Sequence, residues 1–332
     1  MKPQIAQIEL PKQFTVALYR FTLTALDPLE MNPVKSSALR GAFGSQMKAL
    51  VCRWPNACQE ACQGKNSCPY GYIFETSPPD DSVVLRKLQN VPRPFIFRTP
   101  EDRRTHLPAG AQFSFELVLI GYCIRLLPYF VAIFQTLGNQ GLGRNRGRFH
   151  LAKVEALSPY QNQSALVYDA GSGLIREVDA SVNAEDTTDH AQQFSSTSQL
   201  TINFLTPAQL VEKRKKILRD PPFAVLIRTL LARVSSLSSF HCGEAFEVDF
   251  RALIDQASTV SIANQDVEQT EWSRFSNRQK QRIEMGGFMG SVTYTGDLGA
   301  YIPLLALGEL IHVGKKTVFG NGQYKIETET RP

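Results

Sequence analysis

The stretch His312-Val-Gly-Lys-Lys-Thr-Val-Phe-Gly-Asn-Gly-Gln-Tyr-Lys-Ile326 sets the reading of the residues before it. Gly314, Gly320 and Gly322 allow positive φ and close approach of the backbone to a ligand, while Lys315 and Lys316 put two ammonium groups on the same loop. Together they predict a phosphate-facing loop. Upstream, the apolar run from Tyr301 to Gly308 reads as a helix; downstream, Gln323-Tyr-Lys-Ile-Glu-Thr alternates as a strand does. Nucleotide-binding glycine loops run the other way, from a strand into a helix, so a P-loop or dinucleotide-binding reading is excluded.

Working outward, Gly141-Leu-Gly-Arg-Asn-Arg-Gly-Arg-Phe-His-Leu-Ala-Lys-Val-Glu155 repeats the arrangement. It follows a predicted helix, Arg125 to Leu137, bent at Pro128, and leads into a strand; Gly141 and Gly147 are spaced as Gly314 and Gly320 are. Ahead of it lie a strand from Phe14 to Ala25, a helix from Ala38 to Val51, and strands Arg93 to Arg98 and Gln112 to Ile120. The helix carries Leu39, Phe43, Met47 and Leu50 on one face, has Ser36 or Ser37 as N-cap, and holds Gly41 and Gly44, which mark close approach of a neighbour. In the second half come a strand from Leu200 to Leu205 ended by Thr206-Pro207, a helix from Pro221 to Ser239, and a strand pair, Glu268 to Ser276 and Gly287 to Thr295. Val182 to Asp189, polar and acidic, is expected as a mobile excursion between the halves. The order β-α-β-β-α-β thus occurs twice. The expected fold class is α+β, two tandem ferredoxin-like domains with the architecture of the RNA-recognition motif, over residues 1–157 and 158–332.

The first domain carries a four-cysteine insertion. Cys52, Cys58, Cys62 and Cys68 make C-x5-C-x3-C-x5-C, with Pro55, Gly64 and Pro69 permitting tight turns. Such clustering in a reducing compartment points to a structural zinc held by four thiolates; reduced, unliganded thiols and an iron–sulfur cluster are the alternatives. Full sulfur coordination leaves no open position for substrate, so no catalytic metal is expected there. Cys123 and Cys242 read as core residues.

A net charge of +5 over 332 residues fits a polyanionic partner without identifying one. No basic-then-apolar leader opens the sequence, and no uninterrupted apolar run reaches the ~18 residues of a membrane span. A cytoplasmic protein without a membrane partner is expected.

The loops narrow the function. A G-x5-G-x-G loop with basic residues inside, between the last helix and last strand of a duplicated ferredoxin-like chain, resembles the RAMP superfamily of CRISPR systems; Gly314, Lys315, Lys316, Gly320 and Gly322 carry the likeness. Trp272-Ser-Arg-Phe-Ser-Asn-Arg-Gln279, Gly286-Gly-Phe-Met-Gly290 and Leu310-Ile-His-Val-Gly-Lys315 are similar to the precursor-RNA-processing endoribonucleases of those systems. Leu39-Arg-Gly-Ala42, Pro69-Tyr70, Phe74-Glu75 and Pro92-Arg-Pro-Phe95 extend the likeness into the first half. The resemblance implies cleavage of CRISPR repeat RNA, a stem-loop of the precursor transcript, by attack of a ribose 2′-hydroxyl on the adjacent phosphate, without a catalytic metal. It also implies other CRISPR-associated proteins or fused domains as partners. A non-cutting RNA-binding subunit of an effector or spacer-acquisition complex is the alternative.

That reaction needs a base, an acid and cations beside the phosphorane. Many relatives carry a histidine on or after the first helix; here none stands between Pro33 and Val51. His106 and His190 have surface explanations, His150 faces either RNA or solvent from its strand, and His241 reads equally as packed or catalytic, whereas His312 directly precedes the lysine loop. His312, Lys315 and Lys316 are therefore the expected catalytic residues, with Tyr19, Lys35 and Lys48 as substitutes for His312. The expected RNA-binding residues are Arg40, Arg144, Arg146, Arg148, Arg274, Asn277 and Arg278, with the backbone at Gly314, Gly320 and Gly322. The basic run Lys213 to Lys216 reads as a solvated helix face.

Overall fold

The computed structural model describes residues 8–52, 68–76, 91–98, 102–194, 198–217, 219–276 and 281–327. They divide into two compact units: Thr15–Val182 with Phe240–Cys242, and Asn183–Ser239 with Gly243–Pro332 and Met1–Phe14.

The N-terminal unit runs β1 (Val16–Ala25), β2 (Leu29–Glu30), α1 (Ser36–Val51), α2 (Pro69–Phe74), β3 (Phe95–Arg98), β4 (His106–Leu107), β5 (Gln112–Ile120), α3 (Leu127–Gln140), β6 (Phe149–Ser158) and β7 (Gln163–Asp169). Its main sheet has the order β3-β5-β1-β6-β7, with every pair antiparallel. Without β7 this is the ferredoxin-like order, the first strand central beside the last. β7 pairs with β6 through six registered residues, which keeps the chain in this unit past residue 157. The boundary therefore falls at Val182/Asn183, not at 157/158.

An aromatic cluster holds α1 on the sheet. The Phe43 ring stacks on Phe130 at 4.3 Å and meets Phe74, Phe95, Phe97 and Phe134 within 6.4 Å. Gly44 lets α2 close in, since a Cβ there would lie 2.9 Å from a Phe74 ring carbon; Gly41 has nothing within 4 Å, so only one of the two glycines marks a close approach. The N-cap of α1 is Lys35, without a side-chain cap bond, in place of Ser36 or Ser37. Pro128 sits in the first turn of α3, where its missing N–H breaks no helical bond, so it starts the helix instead of bending it.

The C-terminal unit runs α4 (Ala184–Ala191), β8 (Gln199–Ala208), β9 (Val211–Glu212), β10 (Lys215–Lys216), α5 (Phe223–Leu237), α6 (Phe250–Ala257), β11 (Ser261–Thr270), β12 (Ser273–Ser276), β13 (Gln281–Glu284), β14 (Gly287–Thr295), α7 (Ile302–Ile311) and β15 (Tyr324–Glu327). Its sheet order, β11-β14-β8-β15, is again antiparallel and ferredoxin-like. The duplication read from element order is present in the strand order of both sheets.

Four local readings change. The acidic stretch from Val182 holds the helix α4, started by a capping box in which Asn183 accepts from the Asp186 N–H and Asp186 accepts from the Asn183 N–H. Lys213 to Lys216 is a hairpin turn, because Lys213 and Arg214 take left-handed φ of 46° and 68° and β9 pairs with β10. β8 continues through Pro207 to Ala208: the register shift opposite it, between Phe288 and Gly290, is a bulge, where a strand tolerates a residue with no N–H. The 20-residue helical run Phe223–Cys242, mean hydropathy 1.4, is long and apolar enough to cross a membrane, but its α5 part forms a core helix of this unit, burying Phe223, Leu226, Ile227, Leu230, Leu231 and Val234.

Candidate nucleic-acid interface

The glycine loop is built by a run of left-handed residues. After α7, His312 has φ 62°, Gly314 87°, Lys316 64°, Gly320 84° and Gly322 72°. A Cβ on Gly322 would sit 1.8 Å from the Val313 carbonyl oxygen, and one on Gly314 would sit 2.6 Å from that of Gln209. Backbone passes backbone at both places, which is why glycine is required there. The loop closes on itself, Val313 N–H donating to the Gly322 carbonyl at 2.9 Å, and ties to the end of β8. Gly322 N–H donates to Pro207 O at 3.0 Å, Lys315 N–H to Gln209 O at 3.1 Å, and Thr206 Oγ1 to Gly320 O at 2.7 Å.

Two buried amides then join the loop to the ribbon of β12 and β13. Asn321 Nδ2 donates to Met285 O at 2.8 Å, and the Gln209 side chain donates to Gly286 O. Sequence reasoning missed both residues; Asn321, framed by two glycines, offered the only signal.

His312 is wholly buried, and its Nδ1 lies 3.2 Å from the Asn321 carbonyl oxygen. This is the setting of a residue that shapes the loop, and it corrects the expectation of a histidine delivered to substrate: an imidazole with no exposed surface cannot reach a docked ribose. The neighbouring Arg233 of α5 is likewise buried, its Nε donating to the Ile311 carbonyl at 2.9 Å where α7 ends, and burial lowers its pKa to about 9.

Lys315 is exposed and Lys316 half-buried. Burial holds the Lys316 ammonium below its usual pKa, and the nearby Lys216, Lys315 and Arg274 cations push the same way, against Glu284. Arg274 lies over the Phe319 ring at 4.4 Å, and its own pKa is lowered by burial. Lys216 forms an ion pair with Glu284. Three chain segments, the β9–β10 turn, the β12–β13 ribbon and the glycine loop, therefore bring Lys216, Lys315 and Arg274 near the Lys316 ammonium, with the Glu284 carboxylate against Lys216 and Lys316. Lys216 was visible in the sequence as part of a basic run, but assigning the run to a helix hid its destination.

Among the other expected residues, Asn277 and Arg278 lie outside the described residues, as do Cys58 and Cys62. Cys52 is the C-cap of α1 and Cys68 the N-cap of α2. Among the described residues no group of three or more His, Cys, Asp or Glu side chains is placed to hold a metal ion, and the four-cysteine site as such lies beyond what they describe. Arg40 lies over the Phe74 ring at 5.3 Å. In the first glycine loop Arg148 pairs with Asp27 at 2.8 Å, Arg144 donates to Asn32 at 2.9 Å, and Arg146 is exposed at φ 51°. Of the substitutes for His312, Tyr19 is buried, with its hydroxyl pushed up to about 12 chiefly by that burial. Lys35 is buried against the Asp102 carbonyl and 3.8 Å from its carboxylate, and Lys48 is half-buried on α1.

Residues 14–180 match the AF_1859_N N-terminal domain, and residues 202–324, which hold the whole cation cluster, match CRISPR-associated endoribonuclease Cas6. The chain belongs to the Cas6-type CRISPR RNA-processing proteins. An uncharacterized protein of Archaeoglobus fulgidus is 24% identical over 302 residues, covering 89% of this chain and 92% of that protein. Among solved structures, a Cas6 product complex superposes with TM-score 0.57 at 14% identity over 94% of this chain and 99% of that one. Thermus thermophilus Cas6 gives 0.51 at 15% identity over 95% and 99%. A chain of a partial Cas6-RT-Cas1–Cas2 complex gives 0.58 at 11% identity; it covers 98% of this chain, which spans 47% of that longer one. At these identities the superpositions establish the Cas6 fold, and the family match places the lysine loop and the β12–β13 ribbon within the Cas6 domain.

Proposed function

We propose that this chain cuts CRISPR repeat RNA at one phosphate, without a catalytic metal, by attack of a ribose 2′-hydroxyl that leaves a 2′,3′-cyclic phosphate and a 5′-hydroxyl. The observation that carries the reading is the coincidence of the Cas6 match with the loop where Lys315, Lys316, Lys216 and Arg274 converge. In the reaction the phosphate gains negative charge as the 2′-oxygen adds. Lys316 and Lys315 stabilise that charge as fixed cations, and the buried amide ties of Gln209 and Asn321 hold them in place before substrate arrives. His312 enters as a residue that positions the loop. The RNA is a repeat stem-loop, and partner CRISPR-associated proteins, of the kind named in the partial complex, bind the same chain in the cytoplasm. A structural zinc on Cys52, Cys58, Cys62 and Cys68 belongs to the same reading.

A second reading, binding of guide RNA without cutting, is favoured by the burial of His312 and by the lack of a histidine between Pro33 and Val51. One experiment separates them: purified protein with labelled repeat RNA in EDTA, beside RNA carrying a single 2′-deoxy substitution. Cleavage that survives chelation and stops at the deoxy position is the expected result. Intact RNA in a tight complex establishes the second reading, and cleavage abolished by EDTA with the fold unchanged overturns the metal-independent mechanism.

A further inference from the structure

The cation cluster contains one group that an RNA-binding site does not need. Glu284, at the end of β13, pairs with Lys216 and faces Lys316, with Lys315 and Arg274 close to the same ammonium. The side chains of Lys216 and Glu284 are 43% and 59% exposed, so their pair stands in water at the mouth of the cluster. An exposed ion pair contributes only about 0–1 kcal/mol. Stability therefore does not explain a carboxylate set against Lys216 and Lys316, whereas exchange does. A weak, exposed pair is easily opened, and the group best able to replace a carboxylate against ammonium and guanidinium is a phosphate oxygen.

The cluster also has a fixed shape. Lys216 is carried by a turn whose two residues, Lys213 and Arg214, hold left-handed φ. Glu284 is registered opposite Ser273, next to the Arg274–Ile283 pair, on a ribbon anchored by Met285 N–H to Trp272 O at 2.8 Å. The loop side is anchored through Asn321 and Gln209. The cations need not be gathered when substrate arrives; one anion has to leave.

We propose that Glu284 is a built-in counter-ion of this site: it occupies the place of an RNA phosphate between Lys216 and Lys316 and is displaced when the substrate backbone docks. The proposal rests on the RNA-processing reading and adds to it a residue that sets how strongly a polyanion must compete for the loop. By pairing with Lys216 in the free protein, Glu284 lowers the charge of the cluster and weakens binding to any passing polyanion; a substrate held by further contacts overcomes it.

The test compares wild type, Glu284→Gln and, as a control for net charge, Glu177→Gln, which removes one exposed carboxylate from the N-terminal unit. Dissociation constants are measured for repeat stem-loop RNA and for inorganic polyphosphate over a range of salt. Glu284→Gln is expected to tighten both. The advantage over wild type should grow by about threefold as salt is lowered from about 200 to about 50 mM, because one more cation releases a counterion on binding. Glu177→Gln should match wild type. Unchanged or weaker binding in Glu284→Gln, or an equal gain in Glu177→Gln, overturns the proposal. Wild type that fails to bind RNA while Glu284→Gln still tightens polyphosphate would overturn the RNA reading and leave the counter-ion role standing.

Discussion

Gly322→Ala tests the loop architecture at its tightest point. Gly322 has φ 72°, and a Cβ there would lie 1.8 Å from the Val313 carbonyl oxygen and 3.1 Å from the Val313 nitrogen. The left-handed backbone alone costs a residue with a Cβ about 1–2 kcal/mol. The contact adds about 1–3 kcal/mol, as overpacking does, because the carbonyl cannot simply swing away. Its residue donates its own N–H to the Gly322 carbonyl at 2.9 Å, and Gly322 N–H is tied to Pro207 O at 3.0 Å. A total of about 2–5 kcal/mol lowers the melting temperature of a unit this size by about 4–20 °C. Gly299→Ala is the control: nothing lies within 4 Å of its would-be Cβ, and its φ is not in the left-handed region. Scanning calorimetry of both variants reads the difference, with repeat-RNA affinity measured below the transition. If Gly322→Ala melts within about 1 °C of the control, the loop is not held as described, and the claim that its cations are preorganised fails with it.

Other predictions follow from the same contacts. Lys315→Ala with Lys316→Ala should weaken RNA binding and reduce the magnitude of its salt slope by about two, at about 0.9 per lost duplex contact; Arg144→Ala with Arg148→Ala should change it less, since Arg148 is already paired with Asp27. The bidentate Arg104 guanidinium holds the Asp102 carboxyl near 2, below its ordinary value of about 3.9. Its contribution is therefore present above about pH 4 and lost as pH falls toward 2, and Asp102→Asn should flatten melting temperature against pH across that window. Elemental analysis of reduced protein should find one zinc per chain, absent in Cys58→Ser; four freely reacting thiols and no metal would return the cluster to ordinary reduced cysteine.

The fold was legible because its signals are local. β5 was read to the residue, and β1, α1, α5, α7 and the two glycine loops within a few, since alternation, helical spacing and glycine each act over a handful of positions. What the sequence hid was set by tertiary pairing. β7 lies in the stretch read as a crossing between the halves and is placed by its pairing with the edge of β6; β11 is a ten-residue strand with no buried side chain, held by its register with β14. The site followed the same rule. Lys315 and Lys316 announce themselves beside glycines, whereas Lys216 and Glu284 are brought in by hairpins distant in sequence. His312 was misread because position along the chain was taken for direction: at φ 62° the backbone turns, and the imidazole points into the protein.

The duplicated architecture makes the difference between its two halves informative. Each unit places a glycine loop after its last helix, and each loop carries cations, yet their charges are used differently. In the first loop Asn145 and Arg148 are spent on the segment after β1: Asn145 accepts from Glu30 N–H and donates to Pro28 O, and Arg148 pairs with Asp27. Gly143 and Gly147 are needed there because the carbonyls of Glu30 and Pro28 would lie 2.3 Å from a Cβ on each. That loop is a clasp, its glycines serving contact with the protein's own chain. In the second loop the backbone does the clasping, through Gly314, Gly322, Gln209 and Asn321, which leaves Lys315 and Lys316 free of structural duty and gathers Lys216 and Arg274 to them against a single carboxylate. A cluster with more positive charge than its own partners neutralise is costly to keep together unless a polyanion uses it. In the first loop Arg148 and Asn145 are bound to the protein's own chain, whereas the second brings Lys216 and Arg274 from two other hairpins to Lys315 and Lys316; that convergence is the physical ground for proposing that phosphate docks at the C-terminal loop.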